Sequence, residues 1–416
     1  MNNLIYDIND SPKELKEYLL YGAQQMISVL AATLLICKLC GTNVAAGLVG
    51  AGAATIIFLF ITKFKAPLFF SNSGSTVGAV QMAFLASTNN YFYVVIGGLT
   101  ICLMNLLVSF LIKKSGSQWL KSLLSPVVAG TIVVVIGLHL STFCSIYVLK
   151  DGSYSLSYVL IALITMFTSI AVMYYGKGRI STLPLLIGAL AGYIAAIILG
   201  EVNWEVFKTT PLFILPDFAF LNIDASVFEF GTFISVVIAF AAVNLANLSE
   251  HISDVIAVSN VVGTDISETV GYDKTMAGDG IADLVGCLIA GQPTTTYSES
   301  LSTIAISKVA STRVILVAAI FTMLLGFCGP FNAFINSMPS CIFAGLGLVA
   351  YGCIAYSGIR TLHSAELKPK NMLVFGCMAT IGISGVSLRL GNSFALETIA
   401  FAMIVGLILN IILKDD

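Results

Sequence analysis

The chain has 416 residues, of which 57% are hydrophobic and only 10% charged, with a formal net charge of −2. Soluble domains carry about 25% charged residues, so this composition excludes a soluble enzyme and a disordered chain. It also excludes a nucleic-acid binder, which needs a basic patch. Apolar runs of the roughly 20 residues that a spanning helix requires recur along the whole chain. The expected class is an all-α polytopic membrane protein; a β-barrel would show short alternating segments instead.

The start is polar and acidic (Asp7, Asp10, Glu14, Glu17). The first apolar run is too long, and lacks the basic leader, for a cleavable signal peptide. About fourteen apolar segments follow, near 18–37, 43–62, 67–86, 92–112, 121–140, 155–175, 181–199, 229–260, 275–291, 293–310, 313–332, 338–358, 371–387 and 394–413. The stretch 200–228 is the longest expected outer loop.

Segments three and ten differ from the rest. One reads Ala66-Pro67-Leu68-Phe69-Phe70-Ser71-Asn72-Ser73-Gly74-Ser75-Thr76, the other Gly291-Gln292-Pro293-Thr294-Thr295-Thr296-Tyr297-Ser298-Glu299-Ser300. Each has a proline, a β-favouring stretch and a Ser-rich passage before an apolar helix. Proline and β-branched residues oppose helix formation in the opening half, so a short strand is expected in each. Each is third in its group of seven. Paired interrupted segments in matching halves point to the binding site of an inverted-repeat transporter. Seven is odd, so the second half is inverted relative to the first.

With the N-terminus placed in the cytoplasm, 16 of the 20 Lys and Arg residues fall on the cytoplasmic side. Lys38, Lys150, Lys208 and Arg389 fall outside. This obeys the positive-inside rule and predicts both termini inside.

Acids within apolar segments are costly and mark function by default. Glu250 and Asp254 are four residues apart and share one helix face, with Asn247 a turn earlier. The alternative is that segment eight stops at Ser249 and these acids face water, but Val255-Ile256-Ala257-Val258 continues the apolar run. Glu299 stands at the strand-to-helix break of segment ten, where a helix-dipole role is the plainer alternative. Acids crowded in apolar surroundings resist being ionised together, which suits a proton-coupled site. His251 is a plausible proton carrier, although it lies about 100° round the helix from Glu250. His139 and His363 read as structural. Asp279 and Asp283 lie near the start of segment nine, and Asp279 reads as a cap at least as readily as a site residue.

No phosphate loop and no catalytic triad appear, so an enzyme is not expected. Cys37 and Cys40 form a C-x-x-C with no second pair, so neither a metal site nor a cofactor is expected.

The run Gln292 to Ser300 resembles the P-N-T-T-Y-G-E-N signature of the nucleobase–ascorbate (nucleobase–cation symporter 2) family. Glu250-His251-Ile252-Ser253-Asp254 resembles its E-H-x-G-H or E-x-x-G-D motif. Ser125 to Thr131, ending in Ile136-Gly137-Leu138, resembles its fifth span, and Met338-Pro339 through Gly358-Ile359-Arg360 its twelfth. Gln24-Gln25 falls where the family has Gln-His. The resemblance implies fourteen spans in a 7+7 inverted repeat. It implies a core domain (18–112 and 229–332) and a gate domain (121–199 and 338–413). It further implies proton-coupled nucleobase uptake across the plasma membrane, with a homodimer in lipid as the assembly and a proton as the coupling ion. Carried over, Glu250 and Glu299 hydrogen-bond the base, with Ser298, Tyr297, Thr76 and Asp254 around it. Gln24, Asn247 and His251 are further candidates.

Departures bear on the substrate. Asp254 is the xanthine-type residue where the uracil pattern has His, whereas Glu299 is the uracil-type residue. Thr76 replaces an aromatic residue. These changes imply a more polar, wider pocket, with uracil or a related pyrimidine first and purine bases next. An anion transporter of the same architecture is opposed by the three acids. A channel lacks a filter repeat.

Overall fold

The computed structural model describes residues 4–87, 90–116, 119, 126–142, 144–363, 368–390, 394–396 and 398–413. Among these, fourteen helices have ten residues or more. In chain order they are α1 (Leu15–Cys40), α2 (Val44–Ile61), α3 (Val77–Ala86), α4 (Phe92–Ser115), α5 (Pro126–Ser141), α6 (Leu156–Tyr175) and α7 (Pro184–Ile198). The second set is α8 (Phe230–Val262), α9 (Tyr272–Ala290), α10 (Ser298–Ser307), α11 (Thr312–Phe327), α12 (Ser340–Leu362), α13 (Pro369–Ser384) and α14 (Thr398–Ile412). Each overlaps one apolar segment of the sequence. Seven helices, α1, α2 and α8 among them, are long and apolar enough to cross a membrane. Helices α3, α7, α11 and α14 are shorter apolar pieces. The start of segment five, Lys121, Ser125 and Lys414 lie outside the described residues.

Three segments differ from the sequence expectation. Segment eleven is divided: α11 stops at Phe327, and a nine-residue helix, Gly329–Ser337, begins with Pro330 in its first turn. Proline is tolerated there because the first helical N–H groups have no intrahelical partner. Residues 394–396 pair with 388–390 in a hairpin, and α14 begins only at Thr398. A short apolar run does not by itself separate strand from helix. The 200–228 stretch holds a short helix, Glu205–Thr209, and two single turns.

Segments three and ten contain the expected strands, β1 (Phe70–Asn72) and β2 (Thr294–Thr296). They pair antiparallel, with Phe70 opposite Thr296, Ser71 opposite Thr295 and Asn72 opposite Thr294. All six residues are buried. Within a bilayer such irregular backbone survives only where protein satisfies its polar groups. Here each strand serves the other. Ser73 N–H to Pro293 O (2.9 Å) and Tyr297 N–H to Phe69 O (3.1 Å) extend the ladder beyond both ends.

The most extensive helix contacts fall in two sets, joined by contacts of α8 with α14 and of α1 with α7. Helix α2 packs on α9 and α11, α1 on α11, and α4 on α9 and α8. In the second group α12 packs on α5 and α6, α6 on α7, and α13 on α5 and α14. Glycines let the α5–α12 pair approach closely, as small residues do between membrane helices. A Cβ at Gly358 would lie 2.6 Å from the Gly130 carbonyl oxygen. Large apolar side chains such as Leu160, Phe167 and Ile170 of α6 and Leu103, Leu107 and Phe110 of α4 face outward, as a lipid environment requires.

The segment before α1 is tied to the α10–α11 connection. Ile5 N–H donates to Lys308 O (2.7 Å), Ala310 N–H to Tyr6 O (2.9 Å) and Thr312 N–H to Ile8 O (3.1 Å). Tyr6 and Val309 form a parallel bridge, and Ser311 Oγ donates to Asp10 O (2.6 Å).

Candidate functional site

The strand pair aims two helix starts into the protein. Helix α3 begins just after β1 and α10 just after β2, and neither has a side-chain cap on its first turn. Uncapped first-turn N–H groups and the positive end of the helix dipole favour electron-rich ligand atoms.

Helix α8 crosses beside this point. It is 33 residues long, starting where Glu229 accepts from Thr232 N–H and ending at Gly263 in the left-handed conformation. The helix therefore does not stop at Ser249, and the alternative of water-facing acids beyond a helix end does not hold. Asn247, His251 and Asp254 are buried and Glu250 is half-buried.

Hydroxyls of the second break meet an acid of α8. Asp254 Oδ1 accepts from Ser298 Oγ (3.1 Å), and Oδ2 accepts from Thr296 Oγ1. Glu250 lies one turn before Asp254 on the same helix. Glu299 is half-buried beside exposed Ser298, so this corner is the open edge of the site. No Lys or Arg forms an ion pair with these three acids among the described residues.

The first break meets α8 one turn earlier. Ser75 Oγ donates to Asn247 Oδ1, and Asn247 Nδ2 is buried with no partner among the described residues. Thr76 is fully buried and donates to Ser73 O (3.0 Å), so its side chain serves the turn and Ser75 is the more open residue. Tyr297 likewise turns inward, its hydroxyl donating to Asn72 O (2.8 Å) across the strand pair. Gln24 Nε2 is buried and unpartnered among the described residues. It is Gln25 that reaches α10, donating to Ser300 O (3.3 Å) and Ser300 Oγ (3.2 Å).

His251 points away from Glu250 towards α9. Its Nδ1 lies 3.3 Å from Asp279 Oδ1. Asp279 is buried within α9 and is not a cap. Asn105 of α4 donates to its other oxygen (2.9 Å). Asp283, one turn further along α9, accepts from the Thr294 N–H (3.0 Å) and so holds β2 in place. Ser75, Thr295, Thr296 and Asn105 were not singled out from sequence. The Ser-rich run and the threonine triplet at paired breaks were the available signal, whereas nothing near Asn105 marks it. Among the described residues no group of three or more His, Cys, Asp or Glu side chains is placed to hold a metal ion. A separate polar cavity of about 630 Å³, lined by Asn43, Asn90, Tyr91, Asp217 and Asp224, contains none of the three acids.

A xanthine/uracil model described as "Permease family" matches residues 16–391. The uracil permease of Bacillus caldolyticus is 31% identical over 99% of this chain and 95% of its own length. This chain belongs to the nucleobase–ascorbate transporter family. Family members with similar sequences include the Bacillus subtilis uracil permease, 31% identical over 95% of this chain and 92% of its own. The uracil permease of Escherichia coli K12 is 30% identical over 94% and 90%.

Solved structures with the same fold are more distant. The transmembrane domain of the cyanobacterial bicarbonate transporter BicA superposes with a TM-score of 0.63 at 16% identity, covering 97% of this chain and 99% of that one. The murine Solute Carrier 26 member A9 anion transporter, solved in its inward-facing state, gives a TM-score of 0.68 at 9% identity over 97% and 68%. The chain is thus a multi-pass membrane transporter and not an enzyme.

Proposed function

We propose that this permease carries a nucleobase, uracil or a related pyrimidine, into the cell together with a proton. The observation that carries the reading is the meeting of Asp254, one turn after Glu250 on α8, with the second break through the hydroxyls of Thr296 and Ser298. Carboxylates are acceptors with several lone pairs, and a pyrimidine's ring N–H groups are donors. Its carbonyl oxygens match the helix starts of α3 and α10, which have no side-chain cap. Relatives 30–31% identical over nearly their whole length are uracil permeases.

In this reading fourteen spans form a 7+7 inverted repeat in the plasma membrane, with both termini cytoplasmic and a homodimer as the assembly. The core is 18–112 with 229–332, and the gate is 121–199 with 338–413. The core moves against the gate and exposes the site to each side in turn. A proton on Glu250, Asp254 or Glu299 lowers the charge of the pocket and favours binding of a neutral base. Base and proton then leave on the inside.

A purine base such as xanthine is the second reading. Asp254 and the turned-in side chain of Thr76 support it, because both leave a pocket without the bulk of an aromatic ring. Uptake of labelled uracil in cells lacking their own permease tests the first reading. Saturable uptake that rises as external pH falls, and that Glu299→Gln abolishes, is expected. Uptake unaffected by Glu299→Gln, or competed by xanthine and not by uracil, would overturn it.

A further inference from the structure

The C-x-x-C cysteine Cys37 occupies a position that the carrier reading does not use. It lies on α1 and is fully buried. Asn72 Nδ2 donates to its sulfur at 3.0 Å, and Gln292 Nε2 at 3.2 Å. Asn72 is the last residue of β1, and Gln292 stands two residues before β2. Both amides are fully buried, and their oxygens have no partner among the described residues. A thiol carries a single hydrogen, so it can donate to at most one amide. At least one amide N–H must therefore rest on the sulfur, whichever way the two amides point.

Three further contacts fit. A Cβ at Gly47 of α2 would meet the Cys37 sulfur and lie 3.2 Å from Asn72 Nδ2 and 3.5 Å from Gln292 Nε2, so α2 closes the fourth side. One turn back on α1, Thr33 Oγ1 lies 2.6 Å from Ser71 Oγ in β1. Two turns before that, Gln25 holds Ser300 of α10. Spacings of four and eight residues put Gln25, Thr33 and Cys37 on one helix face. That face touches both broken segments along their length. Cys40, a turn-fraction further on, is equally buried and is given no such pair of amides.

We infer that Cys37 is a positioning residue for transport: its sulfur pins both chain breaks to α1 and so sets the separation of the two helix starts that hold the substrate. It touches no substrate itself. The inference rests on the carrier reading for its effect on transport, but not for its effect on the strands.

The test compares Cys37→Ser, Cys37→Ala and Cys40→Ala with the unaltered protein at equal amounts in the membrane. Serine keeps an acceptor at this position, whereas alanine leaves the Gln292 amide without one and the Asn72 amide with only the Thr33 carbonyl oxygen at 3.5 Å. Cys37→Ala is expected to raise the KM for uracil about five-fold, the ratio one hydrogen bond corresponds to, while the maximal rate changes less. Cys37→Ser and Cys40→Ala should stay near the unaltered value. Hydrogen–deuterium exchange on purified protein supplies a readout that needs no substrate. Peptides covering 70–72 and 294–297 should exchange about five-fold faster in Cys37→Ala alone. If Cys37→Ala matches the unaltered protein in exchange, or if Cys37→Ser is no better than Cys37→Ala, the positioning role is wrong. If exchange responds as expected but the unaltered protein takes up no uracil, the substrate reading fails and the positioning of the strands stands.

Discussion

His251 Nδ1 stands 3.3 Å from Asp279 Oδ1 in a buried contact between α8 and α9. Asp279 Oδ2 accepts from Asn105 Nδ2 (2.9 Å), and Asn105 Oδ1 accepts from Asn244 Nδ2 (2.8 Å). One carboxylate thus links three helices. Replacing it with alanine leaves the buried Asn105 amide unmet, which costs about 1–3 kcal/mol. Asp279→Ala should therefore lower the thermal unfolding midpoint of the purified protein, and Asp279→Asn, which keeps one acceptor, should lower it less. Equal midpoints for both variants would show that the network contributes little to stability.

The threonine of β2 that rests on Asp254 offers a sharper probe of transport. Thr296→Val keeps the shape of the side chain and its preference for a strand, but removes the hydroxyl. Hydrogen bonds to charged groups are worth about 1.5–3 kcal/mol, or roughly ten-fold and upwards. Uptake measured as Vmax/KM should fall by about that ratio in Thr296→Val. The control is Thr322→Val on α11, whose hydroxyl donates only to Ala318 O of its own helix. It should transport normally.

Two glycines on α12 should answer oppositely to the same change. Around Gly352 a Cβ would meet nothing within 4 Å. Gly352→Ala should therefore stabilise the helix by about 0.5–1 kcal/mol. At Gly358 a Cβ would meet the Gly130 oxygen and the Val134 nitrogen, each at 2.6 Å. Backbone cannot swing aside as a side chain can, so Gly358→Ala should destabilise by about 1–3 kcal/mol. Unfolding midpoints of the two variants decide the matter, and a loss at Gly352 would contradict the packing described for α12.

An ion pair outside the helices predicts acid sensitivity. Lys150 Nζ donates to Glu201 Oε2 (2.6 Å) and Ser157 Oγ to Oε1 (2.7 Å). The Lys150 bond first, and then the Ser157 bond, hold the Glu201 carboxyl below its ordinary value of 4.5. A lowered folded value means stability that is present above 4.5 and is lost as pH falls through the lowered value. As pH falls from 4.5 to the lowered value, the midpoint of the unaltered protein should fall more steeply than that of Glu201→Gln. Parallel curves would mean the pair is screened by solvent.

Local chemistry explains which of these features the sequence disclosed. Pro67 and Pro293 marked the two breaks because proline and β-branched residues act on their own backbone. Glu250 and Asp254 shared a face because helix spacing is regular. The continuation of α8 past Ser249 followed from four apolar residues after Asp254. What depends on distant partners was hidden. No local pattern joins Asn105 to Asp279, or tells that Gln25 and not Gln24 meets Ser300. The sequence places Thr76 at the first break but does not tell that its hydroxyl turns to Ser73 O. The helix at Gly329–Ser337 is hidden within an apolar run because hydropathy does not register a turn that a proline opens.

The pairing of residues 5–8 with 308–312 also has a temporal side. Asp10 and Ser311, joined by a hydrogen bond, are 301 positions apart in the chain. At a synthesis rate of about 5–20 residues per second, the early segment waits roughly 15–60 s for its partner to be made. During that interval the backbone groups of Ile5 and Tyr6 lack their partners at 308–310. Closure of this contact therefore belongs to the last stages of biogenesis, and a chain arrested before residue 308 would expose its beginning to proteases that leave the finished permease intact.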